Sequence, residues 1–202
     1  MAVTIREVNS RRELKKFISF PETLYQGCNN WVNPLYLDEY ATLSKKSNPA
    51  FEFCEAFYFL AYKDGRIVGR VAAIINHNAN KSWNQENMRF GWLDFIDDAE
   101  VSAALMGKVE EIASERGLKA VNGPFGFTDM DREGLLVDGF DKMGSLTTLY
   151  NYPYYGEHLE KLGYCKDIDW EQREFDVPDE VTKKLRRYSE IVRDRYNVRI
   201  LR

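Results

Sequence analysis

The chain has 202 residues, of which 44% are hydrophobic, 14% aromatic and 30% charged, with a net charge of −4. That balance suits a globular chain with a sizeable core and excludes disorder as the default state. Residues 181–202 hold eight Lys and Arg against Glu190 and Asp194, so a local +6 leaves −10 on residues 1–180, and an acidic body makes nucleic acid an unlikely partner.

In chain order, TIREV alternates apolar and polar residues and predicts a first strand. Ser10 then caps a helix whose Leu14, Phe17 and Ile18 share a face. Residues 20–54 are rich in aromatics, Asn and Pro, with a short helix from Leu35 to Leu43, and read as a wrapping arm or lid. EAFYFLAYKDGRIVGRVAAIINH predicts a hairpin, because Asp64-Gly65 tolerates the positive φ of a tight turn between two β-rich runs. RFGWLDFI reads as the strand after the hairpin, with Trp92, Asp94 and Ile96 on one face. DDAEVSAALMGKVEEIASERG predicts a helix with Val101, Leu105, Val109 and Ile112 inward and Gly117 as its stop. LKAVNGP is a short buried strand, and residues 124–153 form a long, aromatic loop of the kind that carries function. YYGEHLEKLGY predicts a helix and KDIDWEQREFDV a last strand packing Ile168, Trp170 and Phe175. Beyond Pro178, a basic helix with Val181, Leu185, Tyr188 and Val192 on one face precedes NVRIL, the start of another strand.

Three scattered cysteines, Cys28, Cys54 and Cys165, give neither a disulfide framework nor a zinc pair and predict reduced thiols in the cytoplasm. The first residues hold no apolar signal core, and AFYFLAY is far short of a membrane span, so neither export nor a membrane partner is expected. TDMDREGLLVDGFD opens like a calcium loop, but Phe140 stands where the bidentate Glu is needed, so no metal is expected. His77 and His158 have no nucleophile elbow to serve.

The order hairpin, strand, helix, strand, helix, strand, with AYKDGRIVGR in the hairpin and HLEKLGY near the end, resembles the GNAT acyltransferase superfamily over residues 3–176. NPAFEF, FGWLDFIDD, NGPFGF, GLLVDGFD and YNYPYYGEHLEKLGY are similar to a bacterial group of GNAT-like proteins of unassigned activity that usually carry two such halves. The resemblance implies an α+β fold of three α/β/α layers. Its sheet is mixed and mostly antiparallel, opens as a V between the FGWLDFI and KAVNG strands, and is followed by an extra C-terminal helix and strand. It divides the chain into a GNAT-like domain over 1–177 and a segment over 178–202 that opens a second half or pairs with another copy in a homo-oligomer.

The resemblance also implies an acyl-CoA or acetyl-CoA co-substrate lying on Phe95, Ile96, Asp97 and Asp98. Where the family brings glycines and a basic or amide side chain to the pyrophosphate, this chain brings Asp97, Asp98 and Glu100. As an N-acyltransferase acting on a small-molecule amine, it would use Asp94 as base and Tyr155 as acid, since Leu159 stands where many relatives have the Tyr donor. Asn122, Asp129, Asp131, Tyr150 and Asn151 would line the acceptor side. The alternative is an inactive GNAT-derived module that binds a ligand or partner.

Overall fold

A computed structural model describes residues 2–145, 148–173, 175–176 and 182–198. The chain divides into two units, 1–165 and 166–202.

The first unit is built on a five-stranded sheet in the order β1 (Thr4–Glu7), β2 (Cys54–Lys63), β3 (Arg66–Asn76), β4 (Asn87–Phe95) and β5 (Ala120–Asn122). The first four pair antiparallel and the last joins parallel, which makes it the mixed, mostly antiparallel sheet expected. The β2–β3 hairpin turns at Asp64 and Gly65, with φ of 53° and 75°. Two successive positive φ values match the twist of the strands they join, which explains why that dipeptide is so strong a signal.

Helices cover both faces. α4 (Ala99–Glu115) buries Val101, Leu105, Met106 and Val109 against Val71, Ala73 and Phe95 of the sheet. On the opposite face α1 (Arg11–Leu24) and α2 (Tyr36–Leu43) pack Phe17, Ile18 and Leu43 against Tyr58, Leu60 and Ile74. Ser10 caps α1 as its spacing predicts, accepting from Glu13 N–H, while Glu13 reaches back to the Asn9 N–H in a capping box. The helix α3 (His77–Ser82) and a 3₁₀ turn at Pro49–Glu52 were not expected; both are single short turns capped by an Asn, too brief to show a period. α5 (Tyr154–Lys161) follows the long loop.

In the second unit α6 (Lys183–Tyr196) has the expected helix, with Leu185, Tyr188 and Val192 exposed. No strand forms over the described residues of 166–176, where Ile168, Trp170 and Phe175 are exposed. The apolar alternation is there, but a strand needs a partner edge, and local ion pairs join Lys166 to Asp169 and Arg173 to Glu171 instead. Val181 and most of NVRIL lie outside the described residues.

The sheet opens at β4. Its pairing with β5 spans only Asn87↔Ala120, Met88↔Val121 and Arg89↔Asn122, followed by one bond from Phe125 N–H to Phe90 O at 2.7 Å. Among the described residues no strand lies beside the rest of β4 on that side. A Cβ on Gly91 would run into the Phe125 carbonyl where the two segments part. Gly91→Ala is expected to cost roughly 1–3 kcal/mol, the usual size of an overpacking penalty, read as a lower urea midpoint with unchanged slope.

Candidate functional site

The part of β4 that has left β5 contains an irregularity in its pairing with β3. Arg70 pairs with Asp94 but Ala72 pairs with Gly91, so β4 carries an extra residue there, and Trp92 takes φ of 45°. The expected common face holds for Trp92 and Asp94, which line one cleft, and fails for Ile96. Trp92 turns toward α2, donating from Nε1 to Glu39 at 2.7 Å and packing on Phe127. Ile96 packs with the α4-side core. Asp94 is aimed at Arg70.

Asp94 is buried, and both its oxygens are engaged. Oδ2 accepts from Arg70 Nε at 2.8 Å and Nη2 at 2.7 Å, while Arg70 Nη1 donates to the Phe17 carbonyl. Oδ1 accepts from Tyr25 OH at 2.9 Å and lies 3.3 Å from Tyr155 OH; the two phenols are 3.0 Å apart. Burial first, and then the Asp94 charge, push the Tyr25 and Tyr155 phenols well above their ordinary pKa, so both remain neutral donors.

Tyr155 is fully buried on α5, stacked on Phe95 with centroids 4.4 Å apart. Its oxygen accepts the Phe95 N–H at 3.1 Å, and Tyr154 OH donates to the Phe95 carbonyl at 2.6 Å. Two phenols therefore fill both bonding positions of Phe95 on the strand's open edge. α5 is fixed beside them: His158 Nε2 meets Asp97 Oδ1 at 2.9 Å and its Nδ1 meets Ser102 Oγ at 2.8 Å.

Asp98 is the N-cap of α4, its Oδ1 accepting from Glu100 N–H at 2.9 Å. Lys63 Nζ bridges Asp98 at 2.7 Å and Glu100 at 3.0 Å. Those two bonds push Lys63 up to about 12, and the Lys63 bond is the main cause holding Asp98 below the usual carboxylate range. The start of α4 thus holds three carboxylates, Asp98 and Glu100 on Lys63 and Asp97 on His158. Phe95, Ile96, Asp97 and Asp98 as placed do not fit an acyl-CoA seat: the edge at Phe95 is taken, the Ile96 N–H bonds Val68 O, and a carboxylate sits where a diphosphate would bond.

A cleft opens above Asp94, lined among others by Pro21, Trp31, Trp92, Leu135 and Tyr150. Tyr150 lies in this wall, edge-on to Tyr25. Asn151 is buried in it as a clamp, accepting from Leu136 N–H and donating to the carbonyls of Leu136 and Tyr152. Asp131 is elsewhere, accepting from Thr128 N–H beside Phe127 and Asn48, where burial raises its pKa. Asp129 is exposed. Asn122 ends β5 at the mouth of the V, and its Oδ1 is buried with no hydrogen-bond partner among the described residues. No group of three or more His, Cys, Asp or Glu is placed to hold a metal ion among the described residues.

The site residues that the sequence did not mark are Tyr25, Arg70, Glu39 and Arg132. Tyr25 sits in the arm as one aromatic among many, stacked on Trp31 at 5.1 Å. Arg70 lies in the hairpin run, where only its register opposite Asp94 gives it a role. Glu39 is buried and joins Trp92 to Arg132, tying the arm to the long loop.

No family model matches the chain. It is 36% identical over 173 residues to protein YghO of Escherichia coli, covering 84% of this chain and 44% of that protein. It is 32% identical over 168 residues to the bacterial ceramide synthase of Caulobacter vibrioides, covering 83% of this chain and 44% of that protein. The chain thus spans under half the length of the curated relatives it matches. A predicted acetyltransferase from Clostridium acetobutylicum, solved with acetyl-CoA, superposes with a TM-score of 0.51 at 9% identity over 85% of this chain and 96% of that one.

Two stability measurements check this geometry. Arg70→Met strands a buried carboxylate and is expected to cost about 3–5 kcal/mol, most of it recovered in the Arg70→Met, Asp94→Leu double variant. Asp98→Ala is expected to cost roughly 0.5–2 kcal/mol at pH 7. The lowered pKa of Asp98 makes its contribution full above the unfolded carboxylate value of about 3.9, so the gap to Asp98→Ala closes as pH falls below that.

Proposed function

From the GNAT fold, which this chain has, we propose that it takes part in acyl-CoA-dependent acylation of an amine and that its cleft receives the amine. The observation that carries the reading is the buried Arg70–Asp94–Tyr25–Tyr155 cluster at the floor of a cleft walled by Pro21, Trp31, Val32, Leu135 and Leu149. Walls that are apolar at Trp31, Val32, Leu135 and Leu149 and polar at Arg132, Thr148 and Asn151, over the Asp94 floor, suit an amine carried on an apolar chain that also bears a hydroxyl. The 32% identity to a protein named a ceramide synthase supports the same class, since a ceramide is an amide formed on a long-chain amino alcohol.

In this reading Asp94 takes the proton of the substrate ammonium at Oδ1, and the neutral amine attacks the thioester carbonyl, forming the amide as the C–S bond breaks and CoA leaves as a thiolate that takes up a proton from solvent. Arg70 fixes the carboxylate in both angle and charge. Tyr25 and Tyr155 are positioning residues on the same oxygen, and Tyr155 in this role passes the proton within the cluster. Tyr150 and Asn151 shape the acceptor wall, and Asn122 stands at the mouth of the V with its side-chain oxygen buried. Asp129 and Asp131, outside the Asp94 cleft, serve at most to attract a cationic substrate electrostatically.

The same reading makes residues 1–177 a GNAT-like half and 178–202 the opening of a second one, which agrees with a chain spanning 44% of two relatives. It places the protein in the cytoplasm, where CoA thioesters are made and where free thiols such as Cys28, Cys54 and Cys165 persist. No helix among the described residues is long and apolar enough to cross a membrane. The second reading, an inactive GNAT-derived binding module, is favoured by one observation, the filled seat at Phe95 and Asp98.

Asp94→Asn decides between them. In the full-length natural protein, assayed with palmitoyl-CoA and a long-chain amino alcohol, the variant is expected to lose about 10²–10⁴ in kcat. Tyr25→Phe is expected to keep turnover and displace its pH profile. Full turnover by a folded Asp94→Asn would remove Asp94 from the chemistry and leave the binding module.

A further inference from the structure

An open strand edge and a helix N-terminus are the two general anchors for a ligand made of an amide chain ending in a diphosphate. The edge offers N–H and C=O groups to the amides, and the helix start offers free amides and a positive dipole to the phosphates. Here β4 supplies such an edge and α4 such a start. Each is occupied by a side chain of this protein whose chemistry imitates the missing ligand.

At the edge, Tyr155 OH takes the Phe95 N–H as a ligand carbonyl would, and Tyr154 OH gives its proton to the Phe95 carbonyl as a ligand amide would. At the helix start, the Asp98 carboxylate takes the Glu100 N–H in place of a phosphate oxygen. These are not loosely placed side chains. Tyr154 and Tyr155 pack their rings on Phe95, and α5 is fastened to the α4 start through His158, which bonds both Asp97 and Ser102. Charge acts in the same direction. Asp98 and Glu100 share the single ammonium of Lys63 and Asp97 lies beside them on His158, so an incoming diphosphate would meet net negative charge.

We infer that this half is closed to acyl-CoA by Tyr154, Tyr155 and Asp98, which hold the hydrogen-bond positions of the donor permanently. Any acyl donor used by the whole protein is then held by another part of it, and this cleft is left for the acceptor. Only that last step rests on the acyl-transfer reading; the closure stands on the hydrogen bonds alone.

The closure is tested by titrating the chain with CoA, acetyl-CoA and palmitoyl-CoA in calorimetry and thermal-shift assays. The wild-type chain is expected to give no saturable response to millimolar CoA. The variant Tyr154→Ala, Asp97→Gly, Asp98→Ser frees the Phe95 carbonyl and thins the acids while serine keeps the cap; it is expected to bind CoA at least tenfold more tightly. Asp98→Ser alone, which keeps all the packing of α5, is expected to give a smaller gain and serves if the triple variant does not fold. Saturable micromolar binding of CoA by the wild type would overturn the inference. So would a folded variant as silent as the wild type, because Tyr154 and Asp98, with the Phe95 carbonyl freed and the acids at the helix start thinned, would then not be what closes the seat. A parallel titration with dodecylamine reports on the acceptor reading separately. Its failure beside a silent CoA response would remove the acceptor assignment and leave the closure intact.

Discussion

The structure depends on one constraint: β4 and β5 pair for three residues and then part, so the remaining edge of β4 must find partners that are not a strand. A buried peptide group without a hydrogen bond costs on the order of 1–3 kcal/mol. The chain meets that demand with phenols. Tyr154 and Tyr155 come from the helix that follows the long loop, and their hydroxyls close the edge at Phe95. Once Tyr155 stands there, its oxygen is within reach of Asp94, and the acid, the arginine and Tyr25 of the arm assemble around the same point.

This arrangement couples elements far apart in sequence. Tyr25 closes the arm over the cluster, Glu39 joins the arm to β4 through Trp92 and to the long loop through Arg132, and Asn151 clamps that loop to itself. A change at Arg70 or Asp94 therefore loosens the arm, the sheet edge and α5 together. Non-additive effects are expected for substitutions within this group, and near-additive ones between it and distant surface positions.

Much of the fold was legible in residue pattern. The Asp64-Gly65 turn, the Ser10 cap, the apolar spacing of α4 and the resemblance carried by AYKDGRIVGR and YYGEHLEKLGY led to the correct sheet, its V and the helices on both faces. A cap at Asp97 or Asp98 was readable too, because an acid before an apolar helical run suits that use, and the structure puts it at Asp98. The extra residue in β4 was not. Trp92 takes a positive φ there and Ile96 leaves the face that Trp92 and Asp94 share, and nothing in RFGWLDFI marks where the alternation breaks. The strand expected over KDIDWEQREFDV has the right period, but period alone cannot supply a neighbouring edge. Arg70 and Tyr25 escaped notice because their role comes from a register opposite Asp94 and a contact across 69 residues, which local sequence does not encode. The placement of Asp131 away from the cleft has the same origin: short spacing put it near Asp129 in the chain, while its bond to Thr128 turned it toward the α2 side.

The most direct test of the closed edge is hydrogen exchange at the Phe95 amide, followed by NMR. If Tyr155 OH holds that N–H, the amide exchanges as slowly as the paired core of β3 and speeds up markedly in Tyr155→Phe, while the amides of β3 stay unchanged. Fast exchange at Phe95 in the wild-type protein, or exchange unmoved by Tyr155→Phe, would contradict the account.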